Sequence, residues 1–289
     1  NLKDEIFCLQ DNAVAHISIN PRAQIQAQDG VSIELGTGGI LHDYKYMSTT
    51  TGCLNKWGVI SSESAFYFVD VINKSINTFN SKGLSKLSDV KGFHHDFLNK
   101  INHNEIKNDN SVSGTGLSLG YSSLNSDVYF SFHQSENPFT IRFSEKTGEF
   151  MSYVSYVPSW YISKGDVLIT TNSDNDEVWE HFKGKPNHFY GEHFPSSITF
   201  HSAPQGNEII MNNASYAMEL TDLNGAEVLN KGLTGVRVYN DYQDSGMVDL
   251  ELRKNIWKKF RNWKLEFEFN NLEGNKLILH DITLFYTQH

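Results

Sequence analysis

The sequence predicts an all-β protein, with irregular or partial β-propeller-like repeats over residues 1–194 and a β-sandwich-like domain over 195–289. Three observations predict it. Aromatic residues make up 13% of the 289 residues, with 19 Phe and 13 Tyr, and these side chains suit a pleated, half-buried surface better than a helix. Twenty-one Gly supply turns, while the Ala, Glu and Leu density of a helical protein is missing. Short apolar runs recur, each followed about a dozen residues later by a second run across a polar turn, which is the signature of a hairpin.

Taken in order, the first such pair is Glu5 to Leu9 and Val14 to Ser18, with Asp11-Asn12 as the turn. Ala65-Phe66-Tyr67-Phe68-Val69 then pairs with Ile76-Asn77-Thr78-Phe79 across Asn73-Lys74. Asp127-Val128-Tyr129-Phe130-Ser131 pairs with Phe139-Thr140-Ile141-Arg142-Phe143 across Asn137-Pro138. Asp166 to Thr170 pairs with Val178 to Phe182 across Asn172 to Asp176. The last two pairs start about 40 residues apart, the length of a four-stranded propeller blade. The wider gap before them holds an insertion near 92–110, read as a short helix over Phe97, Leu98 and Ile101 followed by an Asn-rich loop. A closed propeller usually needs four or more blades, so an incomplete one is expected, with open edges that invite pairing with a neighbour.

Beyond Pro195 the roughly 40-residue beat stops. Ser196 to His201 and Val236 to Tyr239 read as strands, and Leu265, Phe267 and Phe269 alternate with Lys264, Glu266 and Glu268, giving one buried and one wet face. Leu277 to Tyr286 is a continuous apolar-rich strand, its apolar run broken by His280 and Asp281. A sandwich of about 95 residues accommodates these elements.

A formal net charge of −10 argues against non-specific binding of nucleic acid by the chain as a whole. Lys254, Lys258, Lys259, Arg261 and Lys264, interleaved with Trp257, Phe260 and Trp263, are a local exception, read as a solvated face over an aromatic core. Two cysteines, Cys8 and Cys53, lie outside any Cys-x-x-Cys or Cys/His cluster, and whether they pair is left open. No run approaches the roughly 20 apolar residues of a membrane span.

No catalytic, cofactor-binding or metal-binding residue is assigned. Gly36-Thr37-Gly38-Gly39 and the Gly114 to Gly120 stretch lack the following helix that a phosphate loop requires, and read as tight turns. Asp174, Asp176 and Glu177 lack the glycine of a calcium loop and read as a hairpin tip. Adjacent residues diverge by about 100° on a helix, so His94 and His95 do not both face one ion, and His181, His188, His193 and His201 are irregularly spaced. Asp70, Asp89, Glu145 and Glu149 sit near turns, where acids are ordinary, and no Ser/His/Asp nucleophile elbow is assigned. Exposed Trp160, Trp179 or Tyr190 are candidate platforms for a sugar, read instead as strand-face core.

Several strings, in their order, carry a resemblance. They are Thr51 to Ile60, Phe66 to Asp70, Lys74-Ser75-Ile76, Gly83 to Asp89, Phe143 to Phe150, Ser155-Tyr156-Val157-Pro158, Phe189-Tyr190-Gly191 and Ser196-Ser197-Ile198. The succession resembles the muzzle-type structural proteins of crAss-like bacteriophage tails, over roughly residues 20–200 and more loosely beyond. The resemblance implies a non-enzymatic virion protein of the distal tail, made in the host cytoplasm. It implies copies arranged as a ring, contacts with tail-hub and fibre proteins, help in ejecting genome and cargo, and nucleic acid met only through the tail channel. A host-surface glycan is the alternative partner. Muzzle proteins are much longer than this chain, so it is expected to be a fragment or a shorter relative.

Overall fold

The structure, a computed structural model, describes residues 6–19, 23–26, 32–35, 41–110, 113–175, 177–202, 209–229, 231–250 and 263–288. It is all-β, with three short helices among the described residues, and divides into two compact units, Asn1–Phe182 and Lys183–His289.

The first unit is a succession of small antiparallel sheets. Strands β1 (Ile6–Leu9) and β2 (Val14–Ile19) are followed by a hairpin of β3 (Ala23–Gln26) and β4 (Ser32–Leu35). Strand β5 (Leu41–Ser48) then returns to complete a three-stranded sheet in the order β1-β2-β5. Next comes a four-stranded meander of β6 (Val59–Ser61), β7 (Phe66–Asp70), β8 (Ser75–Asn80) and β9 (Gly83–Lys86). Helices α1 (Leu87–Val90), α2 (His94–Lys100) and α3 (His103–Ile106) precede a second meander of β10 (Gly116–Ser122), β11 (Asp127–His133), β12 (Phe139–Ser144) and β13 (Glu149–Val154). A three-stranded sheet of β14 (Trp160–Lys164), β15 (Val167–Thr171) and β16 (Val178–Glu180) ends the unit. None of these sheets closes on itself among the described residues.

The four expected hairpins form, with Cys8 opposite Ala15, Val69 opposite Ile76, Phe130 opposite Ile141, and Thr170 opposite Trp179. Alternation of wet and dry faces, however, is lost in the inner strands: every residue of β7 and of β11 is buried. The reason is that these sheets are covered on both faces. Tyr67 and Val69 of β7 join Ile76, Leu117, Leu119, Val128, Phe130, Phe132, Ile141 and Phe143 in one core between the two meanders. Phe66 and Phe68, on the other face of β7, join Val14 and Cys53 in a second core, with Phe7, Leu9 and Phe79 packed against it. Phe7, Phe66 and Phe79 form a three-ring contact with centroids 4.9–5.1 Å apart. A strand buried on both faces reads as a continuous apolar run, which explains Phe-Tyr-Phe-Val.

The third interface is polar. The far face of the second meander carries Ser118, Gly120, Tyr129 and Ser131, and Tyr161 of β14 lies across it. A side chain on Gly120 would place its Cβ 2.3 Å from the Tyr161 ring, so only glycine permits this approach. Tyr161 stacks on Tyr129 at 6.0 Å, and its hydroxyl is 2.7 Å from Ser131 Oγ, itself 2.7 Å from Thr140 Oγ1. Gly114 and Gly116 do turn the chain, at φ 63° and 91°, but Gly120 is the middle of a strand rather than part of a turn.

Helices α1 to α3 cover one side of the core between the meanders with Leu87, Phe97, Ile101 and Ile106. Gly92, at φ 67°, stops α1, and the amides of Gly92 and Phe93 return to Asp89 O and Ser88 O at 3.2 and 2.9 Å.

The second unit holds a short hairpin, β17 (His188–Phe189) and β18 (Glu192–His193), then β19 (Ser196–Ser202), β20 (Ile209–Thr221), β21 (Gly235–Tyr239), β22 (Val248–Asp249), β23 (Trp263–Phe269) and β24 (Lys276–Gln288). One antiparallel sheet has the order β19-β23-β21-β22, and β20 pairs with β24 as a long two-stranded ribbon. The sheet contributes Val236, Val238, Leu265, Phe267 and Phe269 to a core that Leu220, Tyr216, Leu277, Ile282 and Leu284 of the ribbon share. Leu265, Phe267 and Phe269 are buried while Lys264, Glu266 and Glu268 are partly exposed, the alternation expected of them. Strand β24 runs continuously through His280 and Asp281, as its apolar-rich sequence implies. Its register passes from Asp281 opposite Ala217 to Leu279 opposite Met218, so His280 is the extra residue of a β-bulge and the ladder resumes after it. Residues 251–262, with most of the basic and aromatic cluster, lie outside the described residues.

Candidate functional site

The acids singled out in the sequence are placed apart and tied down. Asp70, at the end of β7, is buried and accepts from the amides of Gly52 and Asn73 at 3.1 and 2.8 Å and from Asn73 Nδ2 at 2.7 Å. It braces the turn that joins β7 to β8. Glu145 follows β12 and reaches back to the first meander, where its Oε1 accepts from Ser62 Oγ at 2.6 Å, Ser64 Oγ at 3.0 Å and the Tyr67 hydroxyl at 2.8 Å. Burial and this neighbouring carboxylate raise the Tyr67 pKa far above that of a free phenol. Glu149 pairs with Lys91 Nζ at 3.0 Å, and Ser88 Oγ donates to Asp89 at 3.4 Å. These acids hold turns and sheets together.

A serine and a histidine do meet: Ser118, the centre of Gly116-Leu117-Ser118-Leu119-Gly120, has its Oγ 3.2 Å from His133 Nε2, but the string lies within β10 and not at the strand-to-helix turn of a nucleophile elbow. Ser118 donates its proton to the Pro158 carbonyl at 2.7 Å, and the two side chains are buried. The pair links β10 and β11 to the segment before β14. His133 is held below the usual imidazole value by burial. His181 is buried with its Nε2 2.6 Å from Thr170 Oγ1, and burial holds it down at about 4. Cys8 and Cys53 are free thiols. Cys53 donates to the carbonyls of Asn55 and Gly58 at 3.2 and 3.4 Å, and burial pushes its thiol up to about 12, so it is a poor nucleophile.

Among the described residues, no three His, Cys, Asp or Glu side chains gather closely enough to hold a metal. His188 and His193 face each other across the β17–β18 hairpin with rings 5.2 Å apart, and His193 Nε2 accepts from the Asn271 amide at 3.1 Å. Asp176, Gly36 to Gly39 and the side chains of His94, Asp96 and His201 fall outside the description. Trp160 and Trp179 pair with Thr171 and Thr170 respectively, which puts them on opposite faces of their sheet, and Trp160 packs edge-to-face on Trp57 at 4.0 Å. The two indoles therefore form no common platform. Among the described residues, no helix is long and apolar enough to cross a membrane.

Two surface features remain. The first is a set of strand edges. Among the described residues β5 pairs only with β2, and Tyr44, Lys45, Tyr46 and Met47 on it are exposed in succession. Similarly, β13 pairs only with β12 and exposes Met151 and Tyr153. The second is a cleft of about 790 Å³ in the first unit, where three segments distant in sequence converge: the β7–β8 turn at Lys74, residues 99–104 at the end of α2 and start of α3, and the β11–β12 turn at 134–139. Tyr153 of β13 completes it. Gln134 pins its floor, accepting from the Asn102 amide at 3.0 Å and donating to the carbonyls of Lys100 and Glu136 at 2.9 Å. Glu105 accepts from the Ser135 amide and hydroxyl, which lowers its pKa.

The sequence was compared with known proteins. The family model described as Crassvirus muzzle protein matches residues 1–174. A protein named "Muzzle protein" in Bacteroides phage crAss001 is 32% identical over 267 residues, covering 90% of this chain and 19% of that protein. The chain thus spans about a fifth of the length of that relative. The family match takes in the stacked sheets of the first unit from β1 to β15, including the Phe-Tyr-Phe layer and the Glu145 link. On these grounds the chain belongs to the Crassvirus muzzle protein family.

Proposed function

We propose that this chain is a non-catalytic, structural part of a bacteriophage tail. It stands at the distal end, with copies of itself in a ring around the tail axis and in contact with hub and fibre proteins, and it assists ejection of genome and cargo. Its place is the virion and, during assembly, the host cytoplasm. Membership of the muzzle family is the observation that carries this reading. The physical design supports it: sheets that share cores on both faces make a stiff wall, and strand edges left unpaired among the described residues, such as those of β5 and β13, are sites where a neighbouring chain can add a strand.

The proposal extends to the architecture. The successive meanders act as blades of an irregular, incomplete propeller over residues 1–194, and the sheet and ribbon over 195–289 act as an open sandwich. In the particle, such a chain buries more than about 1,000 Å² against its neighbours. Immunogold labelling of purified parent phage, with an antibody raised against the 289-residue chain, tests the reading. Gold confined to the tail tip is the expected result. Labelling of the capsid shell, or particles that carry no label while the infected-cell lysate does, would contradict it.

A further inference from the structure

The Asn-rich stretch after α2 seats Ile101 and Ile106 in the core, and its Asn102 and Asn104 line the cleft beside β13. We propose that this cleft is a glycan-binding site that takes a pyranose unit of a short oligosaccharide. Three features of its chemistry carry the inference.

The first is an aromatic surface next to water. Tyr153 is 42% exposed, with Phe139 edge-on at 5.8 Å behind it and Lys100 Nζ 3.8 Å from its ring centroid. With the ammonium over one face, Tyr153 adds an exposed apolar ring edge to the cleft wall, and that ammonium is a donor to sugar hydroxyls. The second is amide density. Asn99, Asn102, Asn104 and Asn137 all line the same cleft. A carboxamide presents a donor and an acceptor side by side, the pattern that two vicinal hydroxyls complement. Asn104 and Asn137 are exposed, and among the described residues their side chains form no hydrogen bond within the chain, so their donors and acceptors are available to a ligand. The third is pre-organisation. Gln134 and Glu105 tie the α2–α3 link to the β11–β12 turn through backbone and side-chain bonds, so the amides stand on a fixed floor and little ordering cost falls on binding. A largely pre-formed cleft with an apolar wall and a few converging polar groups is the usual form of a small-ligand site. Lys74, Lys100 and Glu136 all line it, but among the described residues no glycine loop or long helix N-terminus faces it to cradle a phosphate.

Saturation-transfer-difference NMR on the 289-residue chain tests the site, with maltotetraose, xylotetraose, mannotetraose, cellotetraose and tetragalacturonate each at millimolar concentration. Saturation transfer to at least one is expected, with the Kd raised at least about tenfold in Tyr153→Ala and in Asn104→Ala. Both positions are solvent-exposed, so circular dichroism should be unchanged in the two variants. Tyr242→Ala, at a 94% exposed position in the second unit, should bind as the parent does. Transfer to none of the five sugars overturns the proposal. Binding that survives both cleft variants, or that Tyr242→Ala weakens equally, overturns the location.

Discussion

Replacing Glu145 by Ala takes the acceptor from three hydroxyls at once, those of Ser62, Ser64 and Tyr67. Hydrogen bonds to a charged group are the stronger kind, and a stranded donor away from water adds its own cost. The variant should therefore lose about 2–3 kcal/mol of stability in urea unfolding, whereas Glu149→Ala, whose partner Lys91 is an exposed pairing, should lose well under about 1 kcal/mol. His181 gives the chain an acid limit. An unfolded imidazole titrates near about 6.5, while the folded one is held at about 4, so between these values the unfolded chain binds more protons. Stability contributed here is complete above the unfolded value and is lost as pH falls through the folded one, on the order of 3 kcal/mol in all. His181→Gln should flatten the stability profile between these pH values. A profile identical to that of the parent would mean that the imidazole is not the group responsible.

At the scale of elements, a close constraint lies where β14 crosses β10. Gly120→Ala pushes a methyl group into the Tyr161 ring and should cost about 1–3 kcal/mol. Tyr161→Ala in the same chain should relieve part of that cost, so a double-mutant cycle should read as non-additive. In the second unit Phe267, 1% exposed in the shared core, should cost about 3–5 kcal/mol when truncated to Ala. A measured loss under about 1 kcal/mol would mean the faces of β23 are reversed. The hairpins and the faces of β23 were legible in the sequence because both are local: Asn73-Lys74 and Asn137-Pro138 announce their turns, and alternation within one strand assigns its faces. What surrounds a strand is not local. The unbroken apolar run Phe66 to Val69 signals burial on both faces but not what covers them, and nothing within Gly114 to Gly120 says that a tyrosine some forty residues on will need the last of these glycines. The bulge at His280 was illegible for the same reason, since it depends on the partner strand. The cleft was illegible because Lys74, Asn102, Gln134 and Tyr153 meet only after two meanders have folded.

For the whole molecule, the unifying feature of the first unit is the way one sheet serves two cores: Phe66 and Phe68 on one side, Tyr67 and Val69 on the other. Such a stack resists bending, because any relative movement of its layers disturbs close-packed side chains on both faces. The proposed role in a wall around the tail channel requires that property, and the edges of β5 and β13, unpaired on one side among the described residues, would give such a wall somewhere to join its neighbours. Cryo-electron microscopy of the parent phage particle tests this most directly. The account predicts a ring at the distal end of the tail in which the two four-stranded meanders, joined through the Tyr67–Phe130 layer, repeat around the axis. A resolved distal tail built from other folds, with these sheets nowhere in its density, would contradict it.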